Sequence, residues 1–169
     1  MESNNEKKVL VVYYSYDDST KTIAEMIADE TGADLFELVP LEESGGKRVK
    51  YMWEGESVIM NPTPRLKATP DNLGDYDLIF FGTPVWAMSY APPFESLFNS
   101  TRLHGKNVAL FCTHEGLMGI VFQEMINRLK DNKIVGTVDF YDPVGSGIEY
   151  AAKAGRNWAR HVLKSVIEP

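Results

Sequence analysis

The hydrophobic pattern of the chain consists of short apolar runs separated by amphipathic segments. The apolar runs are six to eight residues long and rich in β-branched and aromatic side chains, as is typical of strands buried on both faces of a sheet. The second run alternates with polar residues and stops at Pro40, so we expect an edge strand there. The runs predict five strands, at Val9–Tyr14, Ala33–Val39, Asp77–Gly82, Asn107–Cys112 and Ile134–Tyr141.

The amphipathic segments repeat their apolar residues every three to four positions, which predicts helices between and after the strands. The first helix has Ser19 or Thr20 as its N-cap and ends at Gly32, a residue suited to a left-handed C-cap. The other helices are predicted from Pro92-Pro93 to about Asn99, over Val121–Lys130, and after a capping box at residues 146–149 (Ser-Gly-Ile-Glu).

Residues 41–76 interrupt this alternation with three prolines, a Gly-Gly pair and the aromatic cluster Tyr51-Met52-Trp53. We expect a long irregular excursion between the second and third strands, with one short helix around Gly46–Glu54 followed by extended chain. The aromatic cluster is either a lid over a bound ligand or a patch that holds the excursion against the core.

Alternating strands and helices predict an α/β fold with a doubly wound parallel sheet and helices on both faces, formed as one domain over residues 1–169. In such sheets ligands bind beyond the carboxyl ends of the strands, where the strand order reverses. Residues 15–20, 83–91 and 113–119 leave the carboxyl ends of strands one, three and four, and these loops are the predicted site.

The first loop leads from a buried strand into the N-terminus of a helix, where backbone N–H groups lack partners and the helix dipole favours negative charge. Ser15, Ser19, Thr20 and Thr22 add hydroxyl donors, so the loop is a candidate anion site. Hydroxyl residues in such positions also serve simply as helix caps, and the residues alone leave both interpretations open.

The composition of the chain argues against several classes of function. Of 169 residues, 24 are acidic and 17 basic, and the net charge of −7 argues against nucleic-acid binding. We expect no secretory signal, because the polar residues Met1–Lys8 lead directly into strand residues, and no membrane span, because no apolar run approaches about 20 residues. The single cysteine, Cys112, excludes an internal disulfide and favours a cytoplasmic location. The three histidines lack the spacing of metal ligands, so we expect no metal site.

The three loops together resemble those of the flavodoxin family, over about Lys8 to Val166. That family has a Ser-x-Ser-Gly-Asn-Thr-Lys phosphate loop, a Gly-x-Pro-x-Trp turn and a Thr-Ser-Gly-Gly-like turn after strands one, three and four. The matching stretches here are residues 15–21 (Ser-Tyr-Asp-Asp-Ser-Thr-Lys), 82–86 (Gly-Thr-Pro-Val-Trp) and 113–116 (Thr-His-Glu-Gly). The resemblance implies strand order 2-1-3-4-5, which is the order of flavodoxin itself.

The resemblance also implies FMN as the cofactor, with its phosphate at the first loop and its ring between the other two. Trp86 is expected to contact the ring, since flat aromatic groups stack well, and Glu115 to lower the reduction potential by disfavouring negatively charged reduced flavin. The implied cofactor-binding residues are Ser15, Tyr16, Asp17, Asp18, Ser19, Thr20, Thr83, Pro84, Val85, Trp86, Thr113, His114, Glu115 and Gly116.

Asp17 and Asp18 depart from the family pattern, which has a small hydroxyl residue and a glycine at these positions. A carboxylate roughly 6 Å from a phosphate charge is repelled by about 3 kcal/mol at an effective dielectric constant of 20. We therefore expect phosphate binding only if both side chains point to solvent while their backbone faces the ligand. Aspartate at 18 tolerates the left-handed backbone conformation better than most residues.

Three functions remain open within this fold: an electron carrier, an NAD(P)H-dependent FMN reductase of quinones or nitro compounds, and a flavin-free interaction domain. The expected partners are FMN with a redox partner protein or a small-molecule acceptor, and neither nucleic acid nor membrane. A receiver domain would need an aspartate at the end of strand three, where Gly82-Thr83 stands. A low-molecular-weight tyrosine phosphatase would need cysteine and arginine in the first loop, which has Ser15 and Lys21.

Overall fold

A computed structural model describes residues 6–42, 47–53 and 56–168. Within these residues no helix combines the length and the apolar character needed to cross a lipid bilayer. The helices are α1 (Ser19–Thr31), α2 (Pro92–Ser100), α3 (Val121–Arg128) and α4 (Ile148–Ile167). The strands are β1 (Val9–Tyr13), β2 (Asp34–Glu37), β3 (Val49–Trp53), β4 (Glu56–Met60), β5 (Leu78–Trp86), β6 (Ser89–Tyr90), β7 (Asn107–His114) and β8 (Lys133–Tyr141).

The main sheet has the order β2-β1-β5-β7-β8, and these five strands are parallel. The short strand β6 adds to it by antiparallel pairing with β5. The predicted order 2-1-3-4-5 and the edge position of the second strand are thereby confirmed. The chain reverses its direction of progress across the sheet between β1 and β5, which lie side by side with Val11 opposite Phe80.

Alternate residues of each central strand face opposite layers of helices. On one side Leu10, Val12 and Phe81 pack with α2 and α3, and on the other Val11 and Phe80 pack with α1 and α4. Both layers are fully apolar along the centre of the sheet, as expected of a parallel sheet covered on both faces. Trp158 of α4 packs on Phe80 with a centroid separation of 5.5 Å.

The excursion after β2 contains a hairpin of β3 and β4, so the short helix predicted around Gly46–Glu54 is wrong for the described residues 47–53. Residues 43–46 and 54–55 lie outside the described part of the chain. The pattern there has the two-residue period of a strand, because Tyr51, Val58 and Met60 pack against the core while Lys50 and Ile59 point outward.

The excursion is closed at its base by backbone pairing. The Leu41 N–H donates to the Arg65 carbonyl at 2.8 Å, and the Lys67 N–H donates to the Val39 carbonyl at 2.8 Å. The two ends of the excursion therefore leave and rejoin the sheet at adjacent points.

Two of the predicted loops begin later than expected, because the strands run on into them. Thr83–Trp86 continues β5, with Pro84 opposite Thr113, and β7 extends to His114. The turn after β5 is reduced to Ala87 and Met88, whose φ angles are 49° and 67°. Positive φ at both central residues is the conformation of a type I′ hairpin turn, which glycine and asparagine adopt most easily.

The helix caps also differ from the predicted ones. Helix α1 begins at Ser19 itself with Asp18 as its N-cap, so neither Ser19 nor Thr20 caps it. The capping box at residues 146–149 is absent, because Gly147 is the N-cap and the Ser146 hydroxyl donates to the carbonyl of Asp142 at 2.6 Å. Gly32 is the predicted left-handed C-cap, with φ 67°.

Candidate functional site

The carboxyl ends of β1, β5 and β7 bring the three predicted loops to one edge of the sheet. A buried hydrogen bond of 2.8 Å joins the hydroxyl of Thr20 at the start of α1 to that of Thr113 in β7. The Tyr14 N–H donates to the carbonyl of Gly82 at 3.1 Å, which ties the start of the first loop to β5. The candidate site is therefore a set of loops that hydrogen bonds hold together, one between α1 and β7 and one between the first loop and β5.

The first loop is organised around the carboxylate of Asp17. One of its oxygens accepts the Ser19 N–H at 3.1 Å, and the other accepts the Ser19 hydroxyl at 2.9 Å. Asp18 has φ 69°, the left-handed conformation that its residue type was expected to tolerate. The Asp17 carboxylate thus bonds within the loop although the residue is exposed, whereas phosphate binding was expected only with both carboxylates turned to solvent.

Several donors of this loop remain open. The Lys21 N–H donates to the Ser15 hydroxyl oxygen at 3.1 Å, which leaves the Ser15 proton available. Among the described residues no acceptor faces the backbone N–H groups of Asp17, Asp18 and Thr20. Unpaired N–H groups at the start of a helix are the donors that an anion requires.

The second stretch, residues 83–86, is buried within β5. The Thr83 hydroxyl donates to the Pro84 carbonyl at 2.8 Å and accepts the Ala91 N–H at 3.0 Å, so it serves the fold. Pro84 is buried as well, whereas Val85 lies at the floor of a cavity described below. Of these residues Val85 is therefore the best placed to meet a ligand.

Trp86 is only 1% exposed. Its indole is surrounded by the rings of Tyr14, Tyr16 and Tyr51, at centroid separations of 5.6, 5.7 and 5.7 Å. Its ring N–H is buried without a hydrogen-bond partner among the described residues. A ligand ring can stack on Trp86 only where Tyr16 or Tyr51 gives way, so direct stacking stays a prediction.

A cavity of about 480 Å³ lies between the second and third loops. This volume is within the range of about 300–1,000 Å³ that is typical of small-molecule sites. Its lining is mostly apolar and includes Met52 from the excursion; the lining residues are Met52, Val85, Ala87, Met88, His114, Glu115, Gly116 and Leu117. The cavity can accept a flat, largely apolar ring.

The tip of the second loop is held by residues that precede α3. The Ile120 N–H donates to the Met88 carbonyl at 2.9 Å. A Cβ on Gly119 would lie 2.4 Å from that same carbonyl oxygen, so the contact requires glycine. Met88 and Gly119 lie within the predicted loops but were not among the implied cofactor-binding residues. The positive φ of Met88 was not predictable, because the turn contains neither glycine nor asparagine.

The third loop is braced by His114. Its Nε2 lies 2.8 Å from the Asp139 carboxylate, and its Nδ1 lies 2.8 Å from the Gly116 carbonyl. Both partners are acceptors, so only the doubly protonated imidazolium makes both hydrogen bonds. The ring also packs edge-on against Tyr141, with centroids 5.8 Å apart. Asp139 was missed by sequence reasoning, since it lies on β8 outside the three loops.

Cys112 lies beneath this loop in β7 and is fully buried. Burial, assisted by the Asp139 carboxylate, raises the pKa of its thiol well above the ordinary value. The residue is therefore an unreactive core thiol, as expected. In the described ranges no three histidine, cysteine, aspartate or glutamate side chains are grouped so that they could hold a metal ion.

Several solved structures share this fold. A flavoprotein of Lactobacillus acidophilus, solved in complex with FMN, is 21% identical, with a TM-score of 0.63 over 86% of this chain and 99% of that one. Oxidised flavodoxin 2 of Bacillus cereus is 19% identical, with a TM-score of 0.61 over 94% and 99% of the two chains. A flavodoxin from the domain Archaea is 17% identical, with a TM-score of 0.56 over 92% and 98%.

No curated protein matches the chain significantly. The family model described as flavodoxin matches residues 8–135, which is well over half of the chain. The match includes all three loops of the candidate site, and it supports FMN as the cofactor. The chain belongs to the flavodoxin family.

Proposed function

We propose that this protein binds FMN across the three loops and transfers electrons to a redox partner protein or a small-molecule acceptor. The observation that carries the proposal is the convergence of the loops beyond β1, β5 and β7, where the strand order reverses. Membership of the flavodoxin family supports the same ligand. The FMN-bound relative from Lactobacillus acidophilus has the same fold.

The ring end of the site fits the cofactor. The cavity above Val85 is mostly apolar and open at one side, where the side chains of Met52 and Leu117 are 57% and 76% exposed. In this proposal Val85 forms the floor, and Gly116 allows close approach because nothing lies within 4 Å of its missing Cβ. Bound FMN supplies the chemistry of accepting and donating electrons.

The phosphate end fits less completely. The N–H groups of Asp17, Asp18 and Thr20 and the Ser15 hydroxyl are available donors. The donors of Ser19 are occupied by Asp17. A phosphate at the open donors therefore lies close to the Asp17 carboxylate, and contact with Ser19 as well requires that side chain to leave its present position.

Two charged residues of the third loop act on the ring cavity in opposite directions. Glu115 is exposed at the cavity and disfavours added negative charge there, whereas His114 favours it when the ring is protonated. Glu115 is the more exposed of the two, and His114 is partly neutralised by Asp139. We infer that Glu115 lowers the reduction potential of the bound cofactor.

The exposed apolar rim formed by Met52, Met88 and Leu117 supports transfer to an acceptor that approaches the ring edge. The net charge of −7 favours a basic acceptor surface. We further infer a reducing, cytoplasmic environment, for which the single buried thiol of Cys112 is the support.

The proposal is tested by titrating the purified protein with FMN and following flavin fluorescence. We expect saturable quenching, which Gly116→Val weakens because the added side chain enters the cavity. Gly74→Val is the matched control, since its Cβ also meets nothing within 4 Å but lies away from the cavity. Unchanged flavin fluorescence at all FMN concentrations refutes flavin binding and favours an interaction domain without flavin.

The electron-transfer part is tested on the FMN-loaded protein by stopped-flow mixing. We expect slow reduction by NADH or NADPH, and fast reoxidation of chemically reduced protein by ferricyanide. Rapid bleaching by either nicotinamide cofactor contradicts the carrier function and favours the reductase.

A further inference from the structure

The carboxylate of Asp17 occupies the position at the start of α1 where an anionic ligand is expected. It accepts both the N–H and the hydroxyl of Ser19, at 3.1 and 2.9 Å. Ser19 is only 9% exposed, whereas Asp17 itself is an exposed residue, so these two donors have little contact with solvent while the carboxylate holds them. A carboxylate with two oxygens on two donors reproduces part of the contact that a phosphate group would make.

We propose that Asp17 is a specificity-determining residue. It lowers the affinity of the site for the phosphorylated flavin FMN but not for the unphosphorylated riboflavin, and so reduces the preference for FMN. The inference rests on the proposed flavin site. A phosphate that uses the Ser19 donors must displace the carboxylate, and one that uses only the open donors of the loop remains close to a like charge. Riboflavin, which carries no phosphate, leaves Asp17 in place.

Asp18 is a control that separates two effects of Asp17, the blocking of hydrogen-bond donors and the addition of negative charge. Its side chain makes no capping hydrogen bond, and only its carbonyl is used, by the Thr22 N–H at 2.9 Å. Asp18 therefore adds negative charge near the loop without occupying any of the donors. Lys21 is the one basic residue between Ser15 and Thr22, so the two aspartates leave this segment with a net negative charge.

The experiment compares three variants, each titrated with FMN and with riboflavin by fluorescence quenching. Asp17→Ala removes both the charge and the occupancy, Asp17→Asn removes the charge but keeps an oxygen that can accept the Ser19 N–H, and Asp18→Asn removes a charge from a residue that occupies no donor. Circular dichroism establishes that each variant is folded, which matters because the Asp17 carboxylate accepts the N–H of Ser19, the first residue of α1.

We expect Asp17→Ala to lower the Kd for FMN about tenfold, equivalent to about 1.4 kcal/mol, and to leave the Kd for riboflavin within about twofold. The gain in FMN affinity of Asp17→Asn should lie between the gains of Asp17→Ala and Asp18→Asn. Equal gains for Asp17→Ala and Asp18→Asn overturn the inference, because charge alone then accounts for them. Equal gains for FMN and riboflavin overturn it as well, since the effect is then not at the phosphate.

The failure of this inference is distinguishable from failure of the proposed function. If wild type and variants bind both flavins with unchanged affinities, Asp17 has no role in specificity while the flavin site stands. If neither flavin binds to any variant, the proposed function fails, and the role of Asp17 fails with it.

Discussion

The hydrogen bond between Thr20 and Thr113 joins the start of α1 to the end of β7, and its contribution to stability can be isolated. The two hydroxyl oxygens are 2.8 Å apart, and the residues are 0% and 3% exposed. Replacing either threonine by valine keeps the shape of the side chain but leaves the other hydroxyl buried. Replacing both removes the pair without leaving an unsatisfied group.

An unsatisfied buried hydroxyl costs about 1–3 kcal/mol, whereas replacing both partners by apolar groups of the same shape is nearly neutral. Thr20→Val and Thr113→Val should therefore each lower the free energy of unfolding by about 2 kcal/mol. The double variant should lose less than either single variant, instead of the sum of about 4 kcal/mol that independent sites would show.

The assay is urea denaturation of the four proteins, followed by circular dichroism and by tryptophan fluorescence. The exposed Thr69 provides the matched control, since Thr69→Val should change stability by less than about 0.5 kcal/mol. Additive losses in the double variant would refute the reasoning, because they would mean that the two hydroxyls are satisfied independently of each other.

Four further outcomes are expected. Ala87→Gly should stabilise the protein by about 0.5–1 kcal/mol in thermal or urea unfolding, since alanine at φ 49° pays a left-handed penalty that exceeds the entropic cost of glycine. Gly82→Ala should destabilise it by about 1–3 kcal/mol, because the added Cβ would lie 1.9 Å from the Phe111 ring, and Gly74→Ala should not. Burial raises the pKa of the Cys112 thiol, so it stays protonated at neutral pH and should react with a thiol reagent only as the protein unfolds; fast labelling of the native state would contradict this. Glu115→Gln should raise the reduction potential of bound FMN in a redox titration, and an unchanged potential would remove Glu115 from this role.

The central strands and the positions of the three loops could be predicted, because the strands of a parallel sheet covered on both faces have uninterrupted apolar sequences. The run from Val9 to Tyr14 and the one ending at Gly82 are examples. The three loops were then predicted to lie at one edge of the sheet, since each follows a strand and these strands are parallel.

Local detail escaped prediction where the deciding interaction is distant in sequence. The strand β5 runs on through Thr83 and Pro84 because Cys112 and Thr113 of β7 extend the pairing, although proline usually marks a break. The hairpin of β3 and β4 forms because Tyr51 packs on Trp86, 35 positions along the chain. The hydrogen bonds of the Asp17 carboxylate to Ser19 depend on its side-chain rotamer, which residue identity does not determine.

Residues 42–64 form an insert whose two ends are joined by backbone hydrogen bonds. These bonds pair Leu41 with Arg65 and Lys67 with Val39. Its ends already meet, so its length can change at little entropic cost to the strands on either side. Through Tyr51 and Met52 this insert nevertheless supplies the cover over the indole and one rim of the ring cavity. The fold can therefore acquire a new entrance by exchanging this one segment, while the main sheet and the loop between β1 and α1 stay unchanged.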